Sequence, residues 1–246
     1  IEDPSNEDLR FERVRLRQEA GALQRLGLTP QMLSLAARRQ ERAAAALEAM
    51  TDALQGQCLD VHHGAFASLD GLHFAAAAEE LRVRLMTRVL AAFGGTSPRA
   101  ELQQVERLVC DLERRGGFRT TLGGCQVRAC AREIRVFREP GRAQIGEAVV
   151  APGQSLMFDG RFLITLSPSA ASSARVRALD PVSFRALVKA GRGRIRVPAR
   201  AAATLPAVWL GENLAAVGGL QIGSEPGHVS SSKMAVVRAE FTPIGG

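Results

Sequence analysis

Tyrosine is missing from these 246 residues, tryptophan occurs once, at Trp209, and lysine only at Lys189 and Lys233. Nearly all of the 32 basic residues are therefore arginines. A GC-rich genome explains that skew as readily as phosphate recognition does, so the arginine count alone assigns no function. The four cysteines, Cys58, Cys110, Cys125 and Cys130, form no C-x-x-C pair, and the gap from Cys125 to Cys130 has no histidine nearby. Those spacings exclude the common zinc signatures and call for no disulfide framework, which leaves a reducing cytoplasm as the default location. No apolar run reaches the roughly 18 residues needed to span a bilayer, and no signal peptide is visible. A P-loop pattern and internal repeats are missing too.

What remains is a chain long enough for one large domain or two modest ones with a real core. Its charge is unevenly placed. From Phe118 onwards there are 17 basic and 8 acidic residues, so the whole +7 excess sits in the C-terminal half. Such a distribution suits a polyanion such as RNA, and equally a basic domain without such a partner.

The opening stretch organises the rest. Asp3-Pro4-Ser5-Asn6 reads as a turn, because Pro4 fixes its own φ and three short oxygens lie within reach of backbone N–H groups. Ser5 and Asp8 have capping-box spacing, which predicts a helix from about residue 7. Leu9, Leu16, Ala20 and Leu23 share one face of it, with Arg13 in the middle and Arg10 and Arg17 alongside. A guanidinium in an apolar stripe either snorkels to water or meets an acid or a phosphate.

Thr29-Pro30 is a cap followed by proline at the first helical position, and opens a helix over about 30–54. Met32, Leu35, Ala36, Ala43, Leu47 and Met50 are its apolar face, with Arg38, Arg39 and Arg42 opposite. Residues 57–63 read as a short extended segment, in which the pair His62-His63 has too few neighbours for a metal site. Helices are expected over 72–93 and 98–114, separated by the Gly94-Gly95 cap. Cys110 belongs to the apolar stripe of the second.

After Gly116-Gly117 the period changes. Gly123-Gly124 lies between short alternating runs, a hairpin signal, and Arg135-Val-Phe-Arg-Glu139 reads as a strand with solvent on one side. Further strands are expected at 148–150, 156–158, 162–166, 176–179, 195–197, 208–210, 214–217 and 236–241, with a tight turn at Asp159-Gly160 and a short helix over 182–190. The fold class is α+β, a helical middle domain followed by a β-rich C-terminal domain. The divisions fall at 1–26, 27–117 and 118–246. Arg192, Arg194 and Arg196 would alternate along one strand, either as a ladder that tracks an RNA backbone or as a charged edge.

Two stretches carry a resemblance. Asp3-Pro4-Ser5-Asn6, then Phe11 and Arg13-x-Arg15-x-Arg17, resembles the motif that closes the catalytic domain of bacterial tRNA(Ile)-lysidine synthetases. Val14 departs from it, since many members have Asn there. Leu205-Pro206-Ala-Val-Trp209 and the following turn are similar to the family's C-terminal domain, with Gly218 where Pro is commoner. The resemblance implies that Asp3, Asn6, Arg13, Arg15 and Arg17 lie near the ATP, lysine and tRNA site. By their alternation, not by the resemblance, Arg192, Arg194 and Arg196 are the RNA-binding candidates. The resemblance identifies no catalytic or metal-ligating residue in this segment.

The reaction implied is attachment of L-lysine to C2 of the anticodon first-position cytidine of tRNA(Ile) with a CAU anticodon. ATP is cleaved to AMP and pyrophosphate, with Mg2+ expected beside it, in the cytoplasm and with no membrane partner. A homodimer stays open. The chain starts at Ile1, inside the first motif, and has no Ser-Gly-Gly-x-Asp-Ser loop. It therefore reads as the C-terminal portion of a longer enzyme, inactive alone and mainly recognising tRNA. The alternative is a non-catalytic RNA-binding or adaptor protein built from the same domains.

Overall fold

The computed structural model describes residues 10–114, 117–130, 132–141, 145–190, 196–220 and 237–241, apart from the side chains of 13 and 16–18. It divides into two compact units, Ile1–Met50 and Thr51–Gly246. In the first, helix α1 spans Glu12–Arg25. Phe11 before it is extended, at φ −88° and ψ 123°, and makes no side-chain cap; Ser5, Asp8 and the helix start expected at about residue 7 lie outside the described residues. Glu12 then places the negative charge in the first turn. Of the expected apolar face, Ala20 is exposed and Leu23 half-buried, whereas Val14 is buried.

Gly27, at φ +80°, turns the chain, and Thr29 Oγ1 accepts from the Met32 N–H at 3.2 Å. Helix α2 follows over Pro30–Cys58. Its expected apolar face is not a core: Met32 is 58% and Met50 54% exposed. The buried residues of α2 are Thr51, Leu54 and Cys58, in the end that belongs to the second unit. The high intrinsic propensity of its Ala-rich middle forms this helix without a buried stripe. Arg38, Arg39 and Arg42 are exposed, as a solvated face should be.

The second unit opens with a hairpin, β1 Leu59–His62 and β2 Phe66–Asp70. Only part of it was expected as extended chain. The helix expected over 72–93 is two: α3 Gly71–Ala76, capped by Asp70 accepting from the Leu72 and His73 N–H groups, and α4 Glu79–Phe93. Gly95, at φ +64°, follows α4, and α5 begins only at Leu102 and ends at Arg114. Strands β3 Phe118–Leu122, β4 Cys125–Cys130 and β5 Glu133–Arg138 complete an antiparallel sheet of order β1-β2-β5-β4-β3. Gly123 and Gly124, at φ +54° and +73°, form the β3–β4 turn that only positive φ at both positions closes so tightly. One face of the sheet, including Val127, Ile134, Val136 and Leu69, is buried. α4 packs against β5 and against α5, and contributes Leu85, Met86, Val89 and Phe93 to the core.

Beyond it lie β6 Ala148–Val150, β7 Ser155–Phe158, β8 Phe162–Leu166, β9 Ala174–Ala178, α6 Pro181–Ala190, α7 Ala199–Ala202, β10 Pro206–Leu210, β11 Asn213–Val217 and β12 Val237–Phe241. They form a four-stranded sheet, β11-β10-β9-β6, and a three-stranded one, β12-β8-β7. A helical start followed by antiparallel sheets is the α+β class expected. The expected strand at 195–197 is absent where it can be seen: Arg196 and Val197 are irregular and lead into α7, an element not expected at all. The cluster between these sheets, with Phe162, Ile164, Val176, Leu205 and Val208, also takes in Phe66 and Phe137 from the first sheet. So β5 does not have a wet face at its end; Val136, Phe137 and Arg138 are all buried.

A buried ionic knot fastens these parts together. Asp159 sits at φ +48° in the β7–β8 turn with Gly160. Its carboxylate accepts from Arg138 Nε at 3.0 Å and Nη2 at 3.2 Å, and from Arg161 Nε at 2.9 Å. Arg138 Nη1 donates onward to Ser97 Oγ and to the carbonyls of Gly124 and Glu139, and Arg161 Nη2 to the Thr204 carbonyl. Arg161 is 0% exposed and its Nη1 has no hydrogen-bond partner. Burial depresses its pKa, against the upward pull of Asp159.

Candidate nucleic-acid interface

The face of the five-stranded sheet opposite its helices is organised in rows. On each side of the Gly123-Gly124 turn the chain is β-branched or arginine-rich, and the two-residue loop sets the register. Arg119 pairs with Arg128 across β3 and β4, and Arg128 with Arg135 across β4 and β5. Arg135 in turn stands opposite Ser68 of β2, which is opposite Asp60 of β1. Three guanidiniums thus occupy directly opposed positions on three neighbouring strands, and all three residues are exposed. Like charges directly opposite one another destabilise a sheet. Anions close by would relieve that repulsion.

The protein itself supplies few. Arg135 pairs with Glu133 at 2.7 Å. Arg128 Nε donates to Gln126 Oε1 at 3.1 Å, and its guanidinium lies 5.3 Å from the centroid of the Phe137 ring. Neither Arg119 nor Arg128 has an acidic partner among the described residues. The pKa of Arg128 is depressed, first by desolvation and then by the positive charges of Arg119, Arg200 and Arg135. Arg200, exposed on α7, therefore belongs to the same positive field. Beside the row is a cleft of about 540 Å³ lined by Arg119, Gln126, Phe137, Glu139, Pro140, Gly141 and Arg200. The Arg138 knot holds its rim, because Arg138 donates to the Glu139 carbonyl and the Glu139 N–H donates to Gly124.

The residues expected to form a site are distributed differently. Asp3 and Asn6 lie outside the described residues, as do the side chains of Arg13 and Arg17, while Arg15 is exposed on α1. Arg192 and Arg194 lie outside them too, and Arg196 is exposed on irregular chain. Sequence reasoning missed Arg119, Arg128 and Arg135. One signal was available: Arg119 is four residues before Gly123 and Arg128 four after Gly124, so a two-residue turn must set them opposite. Of the histidine pair, His62 Nε2 is 2.6 Å from Ser68 Oγ, and His63 Nδ1 is 2.8 Å from the Gly219 carbonyl oxygen. No described helix is long and apolar enough to cross a membrane.

No protein-family model matches the chain. Curated relatives do. The chain is 30% identical over 216 residues to the tRNA(Ile)-lysidine synthase of Ruegeria pomeroyi, covering 87% of the chain and 49% of that relative. It is 32% identical over 166 residues to the enzyme of the same name from Bradyrhizobium sp. BTAi1, covering 59% of the chain and 46% of the relative. For that of Wolbachia pipientis wMel the identity is 25% over 167 residues, with 68% and 39% covered. The chain spans about half the length of the curated relatives it matches. With the first of these matches covering 87% of its length, the chain belongs to the tRNA(Ile)-lysidine synthase family.

Proposed function

We propose that this chain is the tRNA-binding portion of a ligase that attaches lysine to C2 of the anticodon first-position cytidine of tRNA(Ile), with ATP cleaved to AMP and pyrophosphate. The single observation that supports RNA binding here is the register that opposes Arg119, Arg128 and Arg135, with Arg200 in their field. Three cations on a twisted sheet can follow successive phosphates of one strand, and each contact releases counterions. The side-chain forks bind phosphate oxygens in pairs, which a row of lysines would not do. Backbone contacts of this kind position a tRNA without reading its sequence.

In this reading the nucleotide chemistry lies outside the row. Asp3, Asn6, Arg13, Arg15 and Arg17 are assigned to the neighbourhood of the ATP, lysine and cytidine, where guanidiniums stabilise developing negative charge. Arg192, Arg194 and Arg196 are assigned to RNA binding as well. The enzyme works in the cytoplasm, on free tRNA.

The test is the affinity of the chain for a tRNA(Ile) transcript with a CAU anticodon, measured by fluorescence anisotropy. Replacing Arg119, Arg128 and Arg200 together by Ala is expected to weaken it at least tenfold at low salt, with the fold retained by circular dichroism. Unchanged affinity would remove the row from the interface. Tight binding by a gene product that forms no lysidine with ATP and lysine would favour the adaptor reading instead.

A further inference from the structure

The row accounts for phosphates but not for the cleft beside it. We propose that this cleft takes one unpaired nucleotide of the bound RNA, preferring guanine, with Glu139 as the residue that reads the base. The inference rests on the backbone reading above and adds a specificity to it.

Size is the first argument. A volume of about 540 Å³ falls within the range of small-ligand pockets and holds a single nucleotide. An A-form duplex cannot enter it, so only a nucleotide outside a helix can. Charge is the second. Arg119 and Arg200 line the cleft and belong to the field that attracts phosphates. Glu139 lines it too, and its carboxylate has no ion-pair partner among the described residues. The adjacent Arg138 does not neutralise it, since that guanidinium is committed to Asp159, Ser97 and two backbone carbonyls.

An unpaired carboxylate inside an anion-attracting cleft repels phosphate from its own position. It marks where the donor-bearing part of a nucleotide must lie. A carboxylate only accepts hydrogen bonds, with two oxygens side by side. Guanine offers two adjacent donors, N1–H and the N2 amino group, which match it. Uracil offers one N–H between two carbonyl oxygens, both of which face the carboxylate unfavourably. Gln126, 4% exposed in the cleft wall, has its amide oxygen engaged by Arg128 Nε. Its amide NH2 is a donor, suited to the guanine O6.

The experiment uses the 246-residue chain and three labelled RNAs sharing one duplex: blunt, with a single unpaired 3′ guanosine, and with a single unpaired 3′ uridine. The guanosine RNA is expected to bind about tenfold more tightly than either other, the scale of a hydrogen-bonded charged contact. Glu139→Gln should weaken guanosine and tighten uridine until the two bind alike, because an amide both donates and accepts and so meets uracil's N–H and one of its carbonyl oxygens. If all three RNAs bind alike, the nucleotide site is wrong while the backbone row stands. A guanosine preference that survives in Glu139→Gln and Glu139→Ala removes Glu139 as its reader. If no RNA binds at all, both readings fall.

Discussion

Single side chains set the firmest expectations. Asp159 is the shared anion of two buried guanidiniums, and removing its charge leaves both without compensation. Asp159→Asn keeps a residue that tolerates the +48° φ, so it isolates the charge from the backbone. Breaking a buried ionic arrangement from one side costs about 3–5 kcal/mol. Urea unfolding should show a loss of that order, with the midpoint displaced and the slope unchanged. The cysteines make a second case. Burial pushes the Cys58 thiol up to about 11 and the Cys125 thiol up to about 12, whereas Cys130 is exposed. Iodoacetamide at pH 8 should modify Cys130 first and reach Cys58 and Cys125 only on unfolding. A raised thiol pKa also means that the folded state keeps its proton longer than the unfolded one. Its stabilising effect is complete below the ordinary value of 9.0 and is lost as pH climbs through that value towards 11 and 12. Thermal melts between pH 8 and pH 11 should fall accordingly, and equal midpoints would contradict the burial of these thiols.

Among the elements, the arginine row makes stability and binding pull in opposite directions. Arg128→Gln removes the central charge from between Arg119 and Arg135, and should leave the free protein as stable or more stable, by up to about 1 kcal/mol. The same change should weaken RNA binding. A purely structural role for Arg128 predicts loss of stability instead, so urea titration of the variant separates the two. This row also shows where the sequence could and could not be read. Period-two runs around Gly-Gly and Asp-Gly located β3, β4, β7 and β8 within a residue or so, because a tight turn with positive φ leaves little choice. The Phe66–Asp70 strand was passed over because a short apolar run with no alternation looks like a piece of helix until its partner strand is known. α2 failed the other way. Its apolar residues at helical spacing looked like a core face, yet Met32 and Met50 stand in the open, since spacing states what a helix could bury and not whether anything covers it. Arg192, Arg194 and Arg196 were singled out because they alternate within seven residues. Arg119, Arg128 and Arg135 were not, because their alignment exists only after two turns have brought distant positions together. Phe137 and Arg138 looked half-solvated for a similar reason. Nothing in their own strand announces the second pair of sheets that covers them.

For the molecule as a whole, the relevant quantity is where the charge sits. The net +7 arises entirely from the part that begins at Phe118, and within it Arg119, Arg128, Arg135 and Arg200 form one electrostatic neighbourhood. If those four each neutralise one phosphate, counterion release fixes how binding depends on salt. The logarithm of affinity should fall with the logarithm of salt at a slope of about −2.8 to −3.6, taking 0.7 to 0.9 per phosphate. Between 50 and 200 mM salt that amounts to a loss of about 50- to 150-fold. Removing one of the four should make the slope shallower by nearly one, irrespective of which RNA is used. A general attraction of the basic half for any polyanion behaves differently: its slope would follow total charge, and single substitutions anywhere on that half would be equivalent. Comparing Arg128→Gln with Arg185→Gln, an exposed arginine on α6 outside the row, decides between them. The row predicts a shallower slope for the first and an unchanged one for the second. Equal slopes for the two variants would mean that the RNA lies elsewhere on the basic half, and the opposed register of the three strands would be left without a function.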